Sequence, residues 1–231
     1  MKILGFVPAR GGSIGIPKKN LTNLNGKPLI KYTLEISKKI GKSLRLFVST
    51  DDQKILNFCK KSGYKETYIR PKKLSNSKSN IIDAIFHALN WLEEKHNYKP
   101  DAILLLEPTN PSRNIKEMKK AINLFKSKKI ESLASACQLK FHPFQTVEIN
   151  KRNWKFLKKK DKKIYQRQLY PQNYYFIDGN FYLVKIDFLK KYKTVVRENL
   201  TTIFKIKREY PLDINTPLDL QVVSTIMKVK K

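Results

Sequence analysis

The residues with the plainest chemistry lie near the start of the chain. An apolar run from Lys2 to Ala9 leads into Arg10, Gly11, Gly12, Ser13, Ile14, Gly15, Ile16, Pro17, Lys18, Lys19 and Asn20. A glycine-rich loop at the carboxyl end of a buried strand lets backbone N–H groups approach a phosphate closely. Arg10 and Lys19 can neutralise the phosphate charge. The loop lacks the Gly-Lys-Ser/Thr of a Walker loop and the Gly-x-Gly-x-x-Gly of a dinucleotide turn. Taken alone, it serves equally well as a plain turn.

The elements that must position this loop alternate between strand and helix. Strands are predicted at Lys2 to Ala9, Leu44 to Ser49, Ala102 to Leu106, Leu133 to Cys137 and Phe181 to Val184. Helices are predicted at Pro28 to Ile40 (Leu29, Thr33, Ile36 and Ile40 inward) and at Asp52 to Ser62 (Ile55, Phe58 and Cys59 inward). A third runs from Asn80 to Glu94, with Ile81, Ile85, Leu89 and Leu92 in line. A fourth starts at Asn114, with Glu117 completing a capping box and Ile115, Met118, Ile122 and Phe125 inward. Thr216 caps a last helix to Met227, with Pro217 at its first position and Asp219 closing another capping box. The nearly unbroken apolarity of Ala102 to Leu106 suits a central parallel strand covered on both faces. The rhythm implies right-handed crossovers and a three-layer α/β fold with a mostly parallel, doubly wound sheet. It breaks between about 140 and 175, where aromatics and the basic run Lys151 to Lys163 replace the helical period. There we expect short strands at Gln145 to Ile149 and Trp154 to Leu157, forming an inserted subdomain of a single 1–231 domain.

Several further segments, in this order, carry a family resemblance. They are Asn25-Gly26-Lys27-Pro28-Leu29, Ser49-Thr50-Asp51-Asp52, Arg70-Pro71 through Leu74 with Ser79 and Asp83, and Leu105-Leu106-Glu107-Pro108-Thr109-Asn110-Pro111. Arg167-Gln168, Asp178-Gly179-Asn180-Phe181-Tyr182 and Leu212-Asp213-Ile214-Asn215-Thr216-Pro217 follow. With Ala9 to Asn20, the chain resembles the cytidylyltransferases that activate eight- and nine-carbon sugar acids: the acylneuraminate, legionaminic and pseudaminic acid enzymes and the Kdo enzymes. The resemblance implies a nucleotide-diphospho-sugar transferase-like fold, a homodimer, and an inserted dimerisation subdomain that reaches the partner's site. It also implies attack of a sugar-acid hydroxyl on the α-phosphate of CTP, with pyrophosphate leaving and Mg2+ holding phosphate oxygens. Carried over by position, Arg10 with Gly11, Gly12, Ser13 and Lys19 would hold the triphosphate. Asn20 and Ser79 would face the cytidine, and Lys140, Arg167 and Tyr182 the sugar acid. Asp213 would bind the metal.

Three positions depart from the family pattern. Ile14 stands where a phosphate-binding Lys is usual, Glu107 where Gln is usual, and Asn215 where a second metal-binding Asp is usual. One carboxylate is lost and another gained, so Glu107, Asp213 and Asn215 together form the expected metal set. Asp178 stands where sialic-type members carry Asn, and a carboxylate there could select a different sugar.

Composition narrows the alternatives. The 231 residues carry a formal charge of +29, yet 40 of the 48 basic residues are Lys and they are scattered along the chain. Arg, the usual choice for bidentate recognition of bases and phosphates, is scarce. The balance therefore points to composition rather than to a nucleic-acid partner, although it can attract small anions. No apolar run reaches the ~18 residues of a bilayer span. Cys59 and Cys137 have neither disulfide-framework nor zinc spacing, and Cys59 reads as core. A soluble, reduced, cytoplasmic protein with no membrane partner is expected. The rival readings are a nucleotidyltransferase of the same fold for another nucleotide or sugar, a non-catalytic relative that binds nucleotide or a partner, and a polyanion-binding protein.

Overall fold

The computed structural model describes residues 1–41, 44–159, 166–171, 173–208 and 212–229. Its strands are β1 Ile3–Pro8, β2 Asn23–Leu24, β3 Lys27–Pro28, β4 Leu44–Ser49, β5 Ala102–Leu105, β6 Ser132–Gln138, β7 Val147–Asn150, β8 Asn153–Phe156, β9 Tyr175–Lys185 and β10 Thr201–Lys205. Its helices are α1 Leu29–Ile40, α2 Gln53–Lys61, α3 Ile81–His96, α4 Ile115–Ser127, α5 Ile186–Tyr192 and α6 Pro217–Val229. The main sheet has the order β10-β6-β9-β5-β1-β4. β4, β1 and β5 run parallel, as do β6 and β10, while β9 is antiparallel to both its neighbours. The mostly parallel, three-layer arrangement is therefore present. Its one antiparallel strand lies inside the sheet, and the expected Phe181 to Val184 segment is only the second half of it.

Alternation along the strands sends side chains to two faces. On one face, Ile30 and Leu34 of α1, Ile55 and Cys59 of α2 and Met118 and Phe125 of α4 pack on Val7, Leu104 and Leu183. On the other, Ile82, Ile85 and Leu92 of α3 with Phe188 and Leu189 of α5 cover Leu4, Phe6, Ile103 and Val184. The buried faces of α1 and α3 match those expected in part: Leu29, Thr33, Ile85 and Leu92 are buried as expected. Ile30, Leu34, Ile82, Ala84 and Ala88 are buried, while Ile36, Ile81 and Leu89 flank the core. Burial pushes the Cys59 thiol up to about 12, as befits a core residue and not a nucleophile.

Helix starts follow their caps. The carboxylate of Asp52 accepts from the N–H of Lys54 at 2.6 Å, and the amide oxygens of Asn80 and Asn114 accept from Ile82 and Lys116 at 2.9 Å. The box at α6 closes both ways, with Asp219 N–H on Thr216 Oγ1 at 3.2 Å and Thr216 N–H on the Asp219 carboxylate at 2.7 Å. The box at α4 closes one way only, with Glu117 N–H on Asn114 Oδ1 at 3.3 Å. The Glu117 carboxylate instead accepts from the backbone N–H of Lys207 at 2.9 Å, tying α4 to the residues after β10.

Between β6 and β9 the described residues leave the main sheet. β7 and β8 form an antiparallel hairpin whose residues are all exposed, and His142, Phe144, Tyr170 and Tyr174 stack at its base. The part of the basic run at 160–163 lies outside the described residues. A third apolar cluster matters most for the site. Ile16 of the glycine-rich loop and Ile214 of the loop before α6 are buried together with Leu24, Leu29, Leu212 and Val223. Each large aliphatic side chain so buried contributes about 1.5–3 kcal/mol, which fastens two polar loops to one support.

Candidate active site

The two loops and the carboxyl ends of β1 and β5 enclose a crevice of about 480 Å³, at the edge where parallel sheets bind ligands. Arg10, Ser13, Ile14, Gly15, Lys19, Asn20, Ser79, Glu107, Asp213 and Asn215 all line it. Residues some two hundred apart in sequence thus meet because the third cluster holds their neighbours. The contact is close enough to require glycine. A Cβ on Gly15 would collide with the backbone carbonyl of Asn215. Gly15→Ala is therefore expected to push the loops apart and lower turnover at least ~10-fold, as misplacement near the reacting atoms does. Pyrophosphate release measured beside the melting temperature checks this, and unchanged turnover would contradict it.

On the glycine-loop side, an Arg10 guanidinium N–H donates to the carbonyl of Asn76 at 3.0 Å, and the Asn20 amide donates to the carbonyl of Arg10 at 2.9 Å. The Gly11 N–H donates to the Asp51 carboxylate at 2.9 Å, so it is not free for a phosphate as expected. Gly12 is exposed, with open space where a Cβ would be. Ser79 accepts from the N–H of Asn76 and donates to the Lys73 carbonyl, which shapes the wall on the side where a base was expected. Arg70 is buried beside them and donates to Ser49 Oγ at 2.9 Å. The resemblance sets the Arg70-Pro71 segment on the nucleotide side, and Arg70, Leu74 and Ser79 all line the crevice.

The opposite side is acidic. Asp213 carries a buried Oδ1 with no hydrogen-bond partner, while its Oδ2 accepts from the Asn215 amide at 2.7 Å. An orphaned, buried carboxylate oxygen is costly unless something else satisfies it. Burial, then the neighbouring Asp213, pushes the Glu107 carboxyl up, against Arg113 and Lys19. Burial pushes Lys19 down, with Asp213 opposing most strongly. Burial, then Glu107, Asp178 and Asp213, also raises the Tyr182 hydroxyl. Gly179 has a left-handed φ of 66°, and a Cβ there would lie 3.3 Å from Glu107 Oε2 and 3.8 Å from the Tyr182 hydroxyl. The glycine lets β9 kink and leaves room for both groups. Among the described residues no group of three His, Cys, Asp or Glu could hold a metal. Two carboxylates, one with an unpartnered oxygen, suit a hard cation that keeps waters and takes the rest of its ligands from a substrate phosphate.

Asn215 departs from the metal ligand expected. Its amide N–H₂ is used by Asp213, and its Oδ1 accepts from Lys19 Nζ at 3.1 Å. It bridges the two charged groups. Asp178, expected to face the sugar, is buried instead. Its carboxylate accepts from Ser135 Oγ at 2.7 Å and pairs with Arg208 at 3.4 Å. Lys140 and Arg167 are not in the crevice either. They line a second one of about 730 Å³ beside β6 and β10, with Lys205, Lys207 and Arg208. Lys140 follows β6, which ends at the same sheet edge as β5 but with β9 between them, whereas Tyr182 lies on β9 opposite Leu105, beside Glu107.

Two buried arginines unread in the sequence join these parts. Arg113 donates to the carbonyls of Glu107 at 2.6 Å and Asn180 at 2.7 Å and to Thr33 Oγ1 at 3.0 Å. Burial pushes it down to about 9, against the pull of Glu107. Arg208 donates to Asn110 Oδ1 at 2.9 Å and to the carbonyl of Ser112. Together they fix the turn after β5 that presents Glu107.

Comparison with known proteins bears on the family and the fold. A pseudaminic acid cytidylyltransferase of Campylobacter jejuni is 28% identical over 236 residues, covering 99% of this chain and 97% of that one. A CMP-N,N'-diacetyllegionaminic acid synthase of Legionella pneumophila is 25% identical over 234 residues, covering 100% and 98%. The solved structure of a CMP:2-keto-3-deoxy-manno-octonic acid synthetase complexed with CTP superposes with a TM-score of 0.71 over the whole of both chains at 18% identity, which is a likeness of fold. The family described as Cytidylyltransferase matches residues 4–223, nearly the full length, and the chain belongs to it.

Proposed function

We propose that this protein transfers CMP from CTP to a nine-carbon 2-keto sugar acid of the sialic, pseudaminic or legionaminic type, releasing pyrophosphate. The observation that carries the reading is the unpartnered, buried Oδ1 of Asp213 in a crevice shared with a glycine-rich loop and Arg10. The relatives supply the nucleotide and the class of acceptor. Arg10 binds the triphosphate, Ser79 and Asn20 shape the wall against the base, and Tyr182 stands beside Glu107 toward the acceptor. Asp213 and Glu107 would hold Mg2+, which would supply positive charge to offset that of the phosphate oxygens. The half-buried walls exclude part of the water, so each charge acts more strongly than it would in solvent.

The same reading extends to assembly. The exposed Ile149, Trp154 and Leu157 of the hairpin are 71%, 61% and 61% accessible, and we propose that they are buried against a second copy. In a homodimer the second crevice, with Lys140 and Arg167, would serve the partner's acceptor carboxylate. We propose a cytoplasmic setting, where CTP is supplied; no helix among the described residues is long and apolar enough to cross a membrane.

The deciding experiment is pyrophosphate release with a panel of nucleoside triphosphates against neuraminic, pseudaminic, legionaminic and Kdo acids, with and without Mg2+. Turnover with CTP and a nonulosonic acid is expected, and no turnover with any pair would overturn the reading. Arg10→Ala is expected to weaken CTP binding more than ~10-fold, as loss of a charge-assisted contact of roughly 1.5–3 kcal/mol does. Calorimetric titration showing unchanged CTP affinity would remove Arg10 from the phosphate site.

A further inference from the structure

The Lys19 ammonium lies on the acidic loop and not free beside the glycine-rich one. Its Nζ donates to the carbonyl of Ile214 at 2.8 Å and to Asn215 Oδ1 at 3.1 Å, while the Asn215 amide N–H₂ donates to Asp213 Oδ2 at 2.7 Å. The chain Lys19–Asn215–Asp213 therefore supplies this loop with a cation from the protein itself. We infer that Lys19 is a resident counter-cation of the Asp213 loop, which a divalent metal must displace and which then turns to the nucleotide phosphates, so that metal and CTP bind cooperatively. The inference rests on the function proposed above.

The geometry makes the exchange possible without loop movement. The Lys19 backbone is held by its N–H on the Ile16 carbonyl at 3.1 Å, and the next residue, Asn20, is buried. Only the flexible four-carbon stem has to rotate. The ammonium lines the same crevice as Arg10 and Ser13, so a triphosphate held there offers it a new partner of opposite sign. A divalent cation on Asp213 and Glu107 would face the ammonium that Ile214 and Asn215 hold on the same loop, and the two like charges repel.

The test is binding of Mn2+, counted by electron paramagnetic resonance without sugar acid, to wild type, Lys19→Gln and Lys19→Arg. Glutamine keeps a donor for the Ile214 carbonyl but removes the charge. Without nucleotide, Lys19→Gln is expected to bind Mn2+ about five- to tenfold more tightly than wild type, and Lys19→Arg no more tightly. With saturating CTP the order reverses, and Lys19→Gln becomes the weaker binder because the phosphates have lost a cation. Equal or weaker Mn2+ binding by Lys19→Gln without CTP overturns the inference, as does an equal gain in Lys19→Arg. Absence of Mn2+ binding by wild type even with CTP sinks the metal site of the proposed function itself, so the two failures are distinguishable.

Discussion

Replacing Asp213 by alanine is expected to lower turnover by ~100-fold or more while leaving the fold intact. The activity loss follows from removing a carboxylate that stabilises charge through a metal, a contribution of several kcal/mol, where each 1.36 kcal/mol is tenfold in rate. The fold should survive because Asp213 gives it so little. Its Oδ1 has no partner, and its Oδ2 has only the exposed amide of Asn215. Neither Leu212 nor Ile214, which anchor the loop, is touched. A melting temperature within ~2 °C of wild type is therefore expected, the range of a surface substitution in a chain of this size. Near wild-type turnover at saturating Mg2+ would remove Asp213 from the chemistry.

The second large effect concerns Glu107. Glu107→Gln should lower Mg2+-dependent turnover by at least ~30-fold, and adding Asn215→Asp should restore part of it. The reason is that Glu107 and Asp213 are electrostatic neighbours across the crevice: each feels the other, and Glu107 is raised in part by Asp213. Moving a carboxylate from residue 107 to residue 215 keeps two acids on one cation, and Lys19 already reaches the oxygen of residue 215. The metal-free protein should respond in the opposite sense. A carboxyl whose folded pKa is raised binds its proton more tightly in the fold than in the unfolded chain. Stability is then lost as pH rises from the unfolded value near 4.5 through the folded one. The neutral amide of Glu107→Gln carries no such cost, so at neutral pH the variant should melt at a higher temperature than wild type, with the gain vanishing at acid pH. Full turnover in Glu107→Gln, or a double variant no better than the single one, would end the pairing.

What the sequence determined by itself was local. β4 spans the expected Leu44 to Ser49, and the helices begin at the expected Asp52, Asn80, Asn114 and Thr216. These follow from side chains acting on backbone groups two or three residues away and from apolar spacing, both readable in a short window. The glycine-rich loop, Glu107 and Asp213 were likewise marked by residue type and order. Tertiary structure decided the rest. β9 reads as an apolar strand whichever way it runs, and only its pairing with β5 and β6 sets it antiparallel between them. α5 and β10 carry too weak a pattern to stand out, and β10 is a strand because β6 offers it an open edge. The side-chain duties changed for the same reason. Asn215 became a bridge because Lys19, 196 residues away, reaches its amide, and Asp178 turned inward because Ser135 and Arg208 meet it there. Lys140 and Arg167 line a second crevice because β6 is set apart from β1 by the intervening β9 and β5. Such partners are chosen by where the buried clusters bring distant backbone together, and a buried polar group bonds to whatever donor or acceptor packing leaves beside it.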